Sequence, residues 1–164
     1  LTDAVIATFD TNTKVNPPIR AEKDRLAVIQ GLKDGTLDCI VTDHAPHHED
    51  DKNVEYAQAA FGISGLETSF ALSYTALVKS GEMGIVELAR KMSANPAAVL
   101  GLQGGVIEVG APADLTIVDL NEKWTIDPAK FVSKGKNTPF GGREVYGKVK
   151  YTVVDGEIKY EDEK

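Results

Sequence analysis

An aspartate and three histidines crowd into the run Asp43-His44-Ala45-Pro46-His47-His48, immediately behind the apolar stretch Leu37-Asp38-Cys39-Ile40-Val41-Thr42. No histidine lies elsewhere in the chain. A carboxylate at the end of a buried strand can bind a hard or borderline cation. In a parallel barrel the C-terminal strand ends are where catalytic groups gather. From the residues alone a blander reading stays open: an aspartate at a strand end often caps a turn or helix, and a loop histidine often only hydrogen-bonds to its neighbours.

The elements that would position this run follow from periodicity. Thr2-Asp3 can cap a short helix through Ile6, with a polar loop at 10–13 behind it. Lys14-Val15-Asn16 reads as a short extended segment, and Pro17-Pro18 holds the backbone after it away from helix. Over residues 21–33, Leu26, Ile29 and Leu32 share one helical face, and Gly35 ends the helix. Residues 37–42 have the apolar, β-branched character of a buried parallel strand. Extended segment, helix and apolar strand make a βαβ rhythm. A polar loop follows to about Tyr56, then a long helix over 65–79 carrying Leu66, Phe70, Tyr74, Leu77 and Val78 at helical spacing. Shorter helices are expected at 85–92 and 96–100, the second with Asn95 as cap and Pro96 at its first position.

The character changes after Gly104-Gly105. Residues 113–119, 123–126, 144–154 and 157–160 read as strands, the last two joined through Asp155-Gly156 as a tight hairpin. A domain boundary near residue 103 is expected, with residues 1–103 α/β and 104–164 β. Mid-strand Cys39 reads as a buried small hydrophobe, and Trp124 as sheet packing.

Composition narrows the function classes. The chain has 164 residues, 42% of them hydrophobic, which suits a folded chain of one domain or one domain and part of another. Acidic residues outnumber basic ones 25 to 18, for a net charge of -7, an unfavourable balance for binding nucleic acid or an anionic membrane. A single cysteine rules out an internal disulfide and fits a reducing cytoplasm. No apolar run approaches the roughly 20 residues of a membrane span. The opening Leu-Thr-Asp lacks an initiating Met and already reads as helix, so a preceding segment is expected.

Six runs, in order, sharpen the reading: Lys14-Val15-Asn16-Pro17-Pro18-Ile19-Arg20, Asp34-Gly35-Thr36-Leu37-Asp38, Thr42 to His47, Phe61-Gly62-Ile63-Ser64-Gly65-Leu66-Glu67-Thr68, Pro112 to Asp119, and Asn137-Thr138-Pro139-Phe140. Together they resemble the bacterial dihydroorotases of the cyclic amidohydrolase superfamily over nearly the whole chain. Hydantoinases and allantoinases share that architecture, but the Asn-Pro-Pro and Asp-His-Ala-Pro-His strings look like dihydroorotase.

The resemblance implies a fold and a set of roles. The fold is α/β: 1–103 would be the last strands and helices of a (β/α)8 TIM-like barrel, and 104–164 the C-terminal strands of a small β-sandwich. Asp43 matches an aspartate that binds one metal of a zinc pair and carries a proton to the leaving amide nitrogen. A ring amide is a poor electrophile, so metal must polarise its carbonyl and supply hydroxide near neutral pH. Asn16 and His47 match substrate-binding positions, and Phe61 and Gly62 a segment whose backbone meets the ring's polar edge. The substrate implied is dihydroorotate, opened reversibly to N-carbamoyl-aspartate in cytoplasmic pyrimidine synthesis. Expected partners are a second copy of the chain, as a homo-oligomer, or aspartate carbamoyltransferase. The resemblance gives His44 and His48 no role. The remaining metal ligands of that family, a His-x-His among them, have no counterpart here. The expectation is therefore an enzyme portion inactive alone, and the competing reading a non-catalytic scaffold.

Overall fold

The computed structural model describes residues 1–162. Its helices are α1 (Glu22–Asp34), α2 (Glu49–Lys52), α3 (Ser69–Ser73), α4 (Ile85–Ala89) and α5 (Asn95–Leu100), and its strands are β1 (Leu115–Thr125), β2 (Glu144–Val154) and β3 (Glu157–Glu161). The fold is thus of α/β character with a small antiparallel sheet in the order β1-β2-β3.

Two compact units divide the chain, each assembled from three separate stretches. The first comprises Leu1–Asp34, Thr42–Ser69 and Thr125–Glu144. Its α1 starts with acids, Glu22 and Asp24, in the first turn and has Lys33 in the last, which suits the helix dipole. Gly35 follows in the left-handed conformation, φ 84°, as the expected stop. Ile29 and Leu32 are buried while Leu26 is exposed, so the apolar face is narrower than the spacing suggests. Two short 3-10 turns, Asp3–Thr8 and Thr11–Thr13, precede it, the second capped by the Asp10 side chain.

The second unit comprises Gly35–Val41, Phe70–Trp124 and Val145–Lys164. Here α4 runs through a π-helical turn, Arg90–Ala94, straight into α5. Asn95 therefore does not cap a new helix: its backbone is right-handed helical, and its side-chain amide donates to Asp38 O at 2.8 Å. Pro96 has no N–H to offer the preceding turn, and the wider π turn just ahead of it accommodates the missing bond. The expected helix over 65–79 is likewise α3 continued by a π turn, Tyr74–Val78.

Residues 14–16 and 37–42, expected as strands, join no β-ladder among the described residues; the first strand begins at Leu115. A ladder needs neighbouring strands, and the stretch 37–41 instead bonds to the helical run. Ile40 N donates to Lys91 O at 2.9 Å, and the buried Lys91 ammonium donates to Leu37 O at 2.6 Å. Cys39 is half-buried, not fully enclosed.

The sheet follows the sequence pattern more closely. The two strands expected at 113–119 and 123–126 are one continuous strand, β1, in which the Asp119 carboxylate accepts from the amides of Asn121 and Glu122. The β2–β3 hairpin turns through Asp155 and Gly156, with φ of 50° and 78°, and pairs Val154 with Glu157. Two successive positive φ angles make the tight hairpin turn that an Asp-Gly pair favours. Gly147 of β2 lies against the stacked rings of Phe70 and Tyr74; a Cβ there would sit 2.9 Å from Phe70 Cε1. Trp124 donates to Gly147 O at 3.3 Å, as sheet packing requires. Among the described residues no helix is long and apolar enough to cross a membrane.

Candidate active site

The site lies in the first unit and is made of loops, so its order must come from side chains that hold backbone. Asp43 opens it in a left-handed conformation, φ 45°, which aspartate tolerates better than most residues. Its carboxylate is exposed. His44 turns inward: its Nδ1 accepts from Gly65 N at 3.0 Å and Leu66 N at 3.4 Å. Those amides open the turn that leads into α3, where donors have no helical partner of their own. His48 does the same work for α2, accepting from Asp50 N at 3.2 Å. Both histidines thus serve the fold.

His47 is placed differently. Its Nε2 lies 2.8 Å from Phe61 O, and because a carbonyl only accepts, Nε2 carries the proton and Nδ1 is left for other contacts. Gly62 crowds its ring and Gly135 its backbone. A Cβ on Gly62 (φ 136°) would lie 2.5 Å from Ala45 Cβ and 3.0 Å from His47 Nε2, and one on Gly135 would lie 2.8 Å from His47 N.

The 43–48 loop and the 61–65 segment are laced together. Ala45 N donates to Ile63 O at 2.9 Å. The buried Asn137 reaches both: its Nδ2 donates to Ala45 O at 3.1 Å and Gly62 O at 3.0 Å, and its Oδ1 accepts from His47 N at 2.9 Å and lies 3.3 Å from Ser64 Oγ, which donates to Gly135 O at 2.8 Å. Two buried lysines hold the other edge. Lys52 Nζ donates to Ala60 O and Gly62 O at 2.8 and 3.0 Å, and Lys14 Nζ donates to Ala57 O at 2.8 Å while lying 4.6 Å from the Phe61 ring centre. Burial pushes the Lys52 ammonium below the usual lysine range; the Asp10 carboxylate opposes that, and the Lys14 charge adds to it.

Of the five residues expected in the site, His47, Phe61 and Gly62 are in direct contact. Asn16 stands two residues beyond Lys14, whose carbonyl accepts from Gly62 N at 3.0 Å. Asn16 and Asp43 are exposed, and neither side chain makes a hydrogen bond to these segments among the described residues. Gly62 N, Gly62 O and Phe61 O are already paired within the unit, which leaves Phe61 N–H as the unpaired backbone group of that pair among the described residues.

No group of three or more His, Cys, Asp or Glu side chains among the described residues is placed to hold a metal ion. With His44 Nδ1 and His47 Nε2 committed to backbone, Asp43 offers one carboxylate. The donors present do not make a metal site by themselves.

The close approach at Gly62 has a measurable consequence. Gly62→Ala should destabilise the full-length protein by about 1–3 kcal/mol, the scale of overpacking. Gly104→Ala, at a φ of 145° close to that of Gly62 and with nothing within 4 Å of its Cβ, isolates the backbone component. Denaturant melts check it: equal losses in the two variants would show that the contact with Ala45 and His47 is soft.

Asn137, Lys14 and Lys52 were not identifiable as site residues from sequence. Lysines read as surface residues, and an asparagine before Thr-Pro reads as a turn.

Residues 9–159 match the model of the amidohydrolase family. A curated dihydroorotase of Thermoanaerobacter sp. is 54% identical over 164 residues, all of this chain and 38% of that protein. Another, of Ruminiclostridium cellulolyticum, is 56% identical over 95% of this chain and 36% of its own length. The chain thus spans little more than a third of these relatives. Among solved structures, the L-hydantoinase (dihydropyrimidinase) of Arthrobacter aurescens superposes with a TM-score of 0.92 at 31% identity, covering 98% of this chain and 37% of that one. A D-hydantoinase (dihydropyrimidinase) of Thermus sp. gives a TM-score of 0.85 at 25% identity, over 93% of this chain and 34% of that one. On this agreement of sequence and backbone, the chain belongs to the amidohydrolase family.

Proposed function

We propose that the chain is the C-terminal part of a dihydroorotase, which reversibly hydrolyses the cyclic amide of dihydroorotate to N-carbamoyl-aspartate. The observation that carries this is the 54–56% identity to dihydroorotases across 95% or more of the chain, against 31% for the hydantoinase with the matching backbone. In this reading residues 1–103 complete a (β/α)8 barrel and 104–164 a β-sandwich, both closed by the rest of the protein. The reading also carries cytoplasmic pyrimidine synthesis, and assembly as a homo-oligomer or with aspartate carbamoyltransferase.

Each residue has a task its position suits. Asp43, exposed and without a hydrogen-bond partner for its carboxylate among the described residues, would offer that carboxylate to a zinc pair completed by residues outside this chain, where its oxygens could carry a proton toward the leaving nitrogen. His47, its Nε2 spent on Phe61 O, presents Nδ1 to the substrate. Phe61 N–H is the backbone donor left for a ring carbonyl, while Gly62 permits the close approach that aims it. Asn16 supplies a side-chain amide from the neighbouring segment.

The test is substrate preference of the full-length protein. Its kcat/KM for dihydroorotate should exceed that for hydantoin or dihydrouracil by at least about a hundredfold, because a site built to pair the extra carboxylate is left with unmatched groups when it is missing. A preference for either uncharged ring would return the chain to the hydantoinases.

A further inference from the structure

We propose that Asn137 is a positioning residue for substrate binding: its amide fixes the distance between the His47 loop and the Phe61–Gly62 segment. The inference rests on the reading of His47 and Phe61 as substrate contacts. It goes beyond that reading by naming what holds them in register.

The geometry is specific to an amide. Each donor of Nδ2 goes to a different segment, one to Ala45 O and one to Gly62 O, while Oδ1 accepts from His47 N and lies 3.3 Å from Ser64 Oγ, whose proton goes to Gly135 O at 2.8 Å. Both amide protons and one acceptor position of the side chain are filled, and these three bonds straddle the same gap. Rotating the amide by half a turn would set its oxygen against two carbonyls, so one orientation alone is compatible with the partners. The main chain adds a further tie, Ser64 N donating to Asn137 O at 2.7 Å. Asn137 is 6% exposed, so water does not compete for these bonds. His47 is held by the amide through its backbone and by Phe61 O through its ring, and Gly62 is held by its carbonyl. A shift of the amide therefore moves the His47 ring and the Phe61 N–H relative to each other. A misplacement of about 1 Å in such a pair is enough to weaken binding or turnover by an order of magnitude or more.

Two variants of the full-length protein test this: Asn137→Asp, which keeps the size but turns charged oxygens toward two carbonyls, and Asn137→Ala, which opens the gap without repulsion. In whichever folds, amide hydrogen exchange at Ala45 and His47 should speed up by about tenfold or more. KM for dihydroorotate should rise about tenfold, with kcat changed less than about threefold. In a His47→Ala background the same substitution should add less than about twofold to KM, because both changes remove one element. Unchanged exchange would overturn the positioning role, as would a fully additive cycle, the mark of general destabilisation. If His47→Ala alone leaves KM untouched while exchange responds, the assignment of His47 to the substrate is what has failed, and the inference about binding falls with it.

Discussion

Asp43→Asn in the full-length protein is expected to lower turnover of dihydroorotate at least about a hundredfold, the scale of a general acid–base contribution, while leaving folding nearly unchanged. The two halves of that expectation have separate causes. Asparagine is as much at home as aspartate at a φ of 45°, so the turn that carries the loop onward survives. The carboxylate is exposed and accepts no hydrogen bond within its unit, so no buried partner is stranded when its charge is removed. What disappears is a negative charge able to face a cation and an oxygen able to accept and return a proton; the amide can do neither. Steady-state kinetics, metal analysis and thermal melting on one preparation separate these effects. Near-normal turnover with metal content intact would take Asp43 out of the chemistry. A melting temperature that falls with activity would make it a turn residue.

The backbone angle at Asp43 marks a general feature of how far the sequence could be read. Asp43 stands out as a candidate because an acid and histidines behind an apolar run are conspicuous in one dimension. So does the β2–β3 hairpin, whose Asp-Gly turn encodes its own geometry. Helix α1 was legible through its spacing and its terminal Gly35. Long-range ties were not. His44 and His48 lie in the same conspicuous run as His47, yet one holds the amides ahead of α3 and the other caps α2. Nothing local distinguishes the three rings, since the difference lies in what the fold brings opposite each. Asn137 is 90 residues from the backbone amide it accepts from. Lys14 and Lys52 are buried cations whose partners are carbonyls, and carbonyls leave no trace in a sequence. The strand expected at 37–42 failed for a related reason. Its composition suits a ladder, but a ladder is a property of two segments, and here the hydrogen bonds of 37–41 go to Lys91 and Asn95.

The 164-residue chain by itself is expected to produce no turnover of dihydroorotate above the uncatalysed rate. Hydrolysis of a ring amide near neutral pH needs a strong nucleophile and a polarised carbonyl, and in the proposed reading a metal pair supplies both. A zinc ion ordinarily takes three or four protein ligands; this chain offers the Asp43 carboxylate, and no cluster of three donors among its described residues. Substrate contacts alone cannot replace those ligands, because binding a ground state without stabilising the transition state does not raise kcat. Surface chemistry points the same way. Val41, Ile107 and Val132 are 78%, 90% and 87% exposed, and Phe9, Leu100 and Leu102 are also open to solvent. Large apolar side chains exposed in such numbers lower solubility and favour association. The isolated chain should therefore bind zinc no more tightly than its Asp43→Asn variant within about twofold, and should associate in a concentration-dependent way in sedimentation experiments. Activity and zinc binding are measured on the same purified material. Turnover that survives removal of every other polypeptide would mean that this chain, or a multimer of it, builds a complete centre, and the division of ligands proposed above would be wrong.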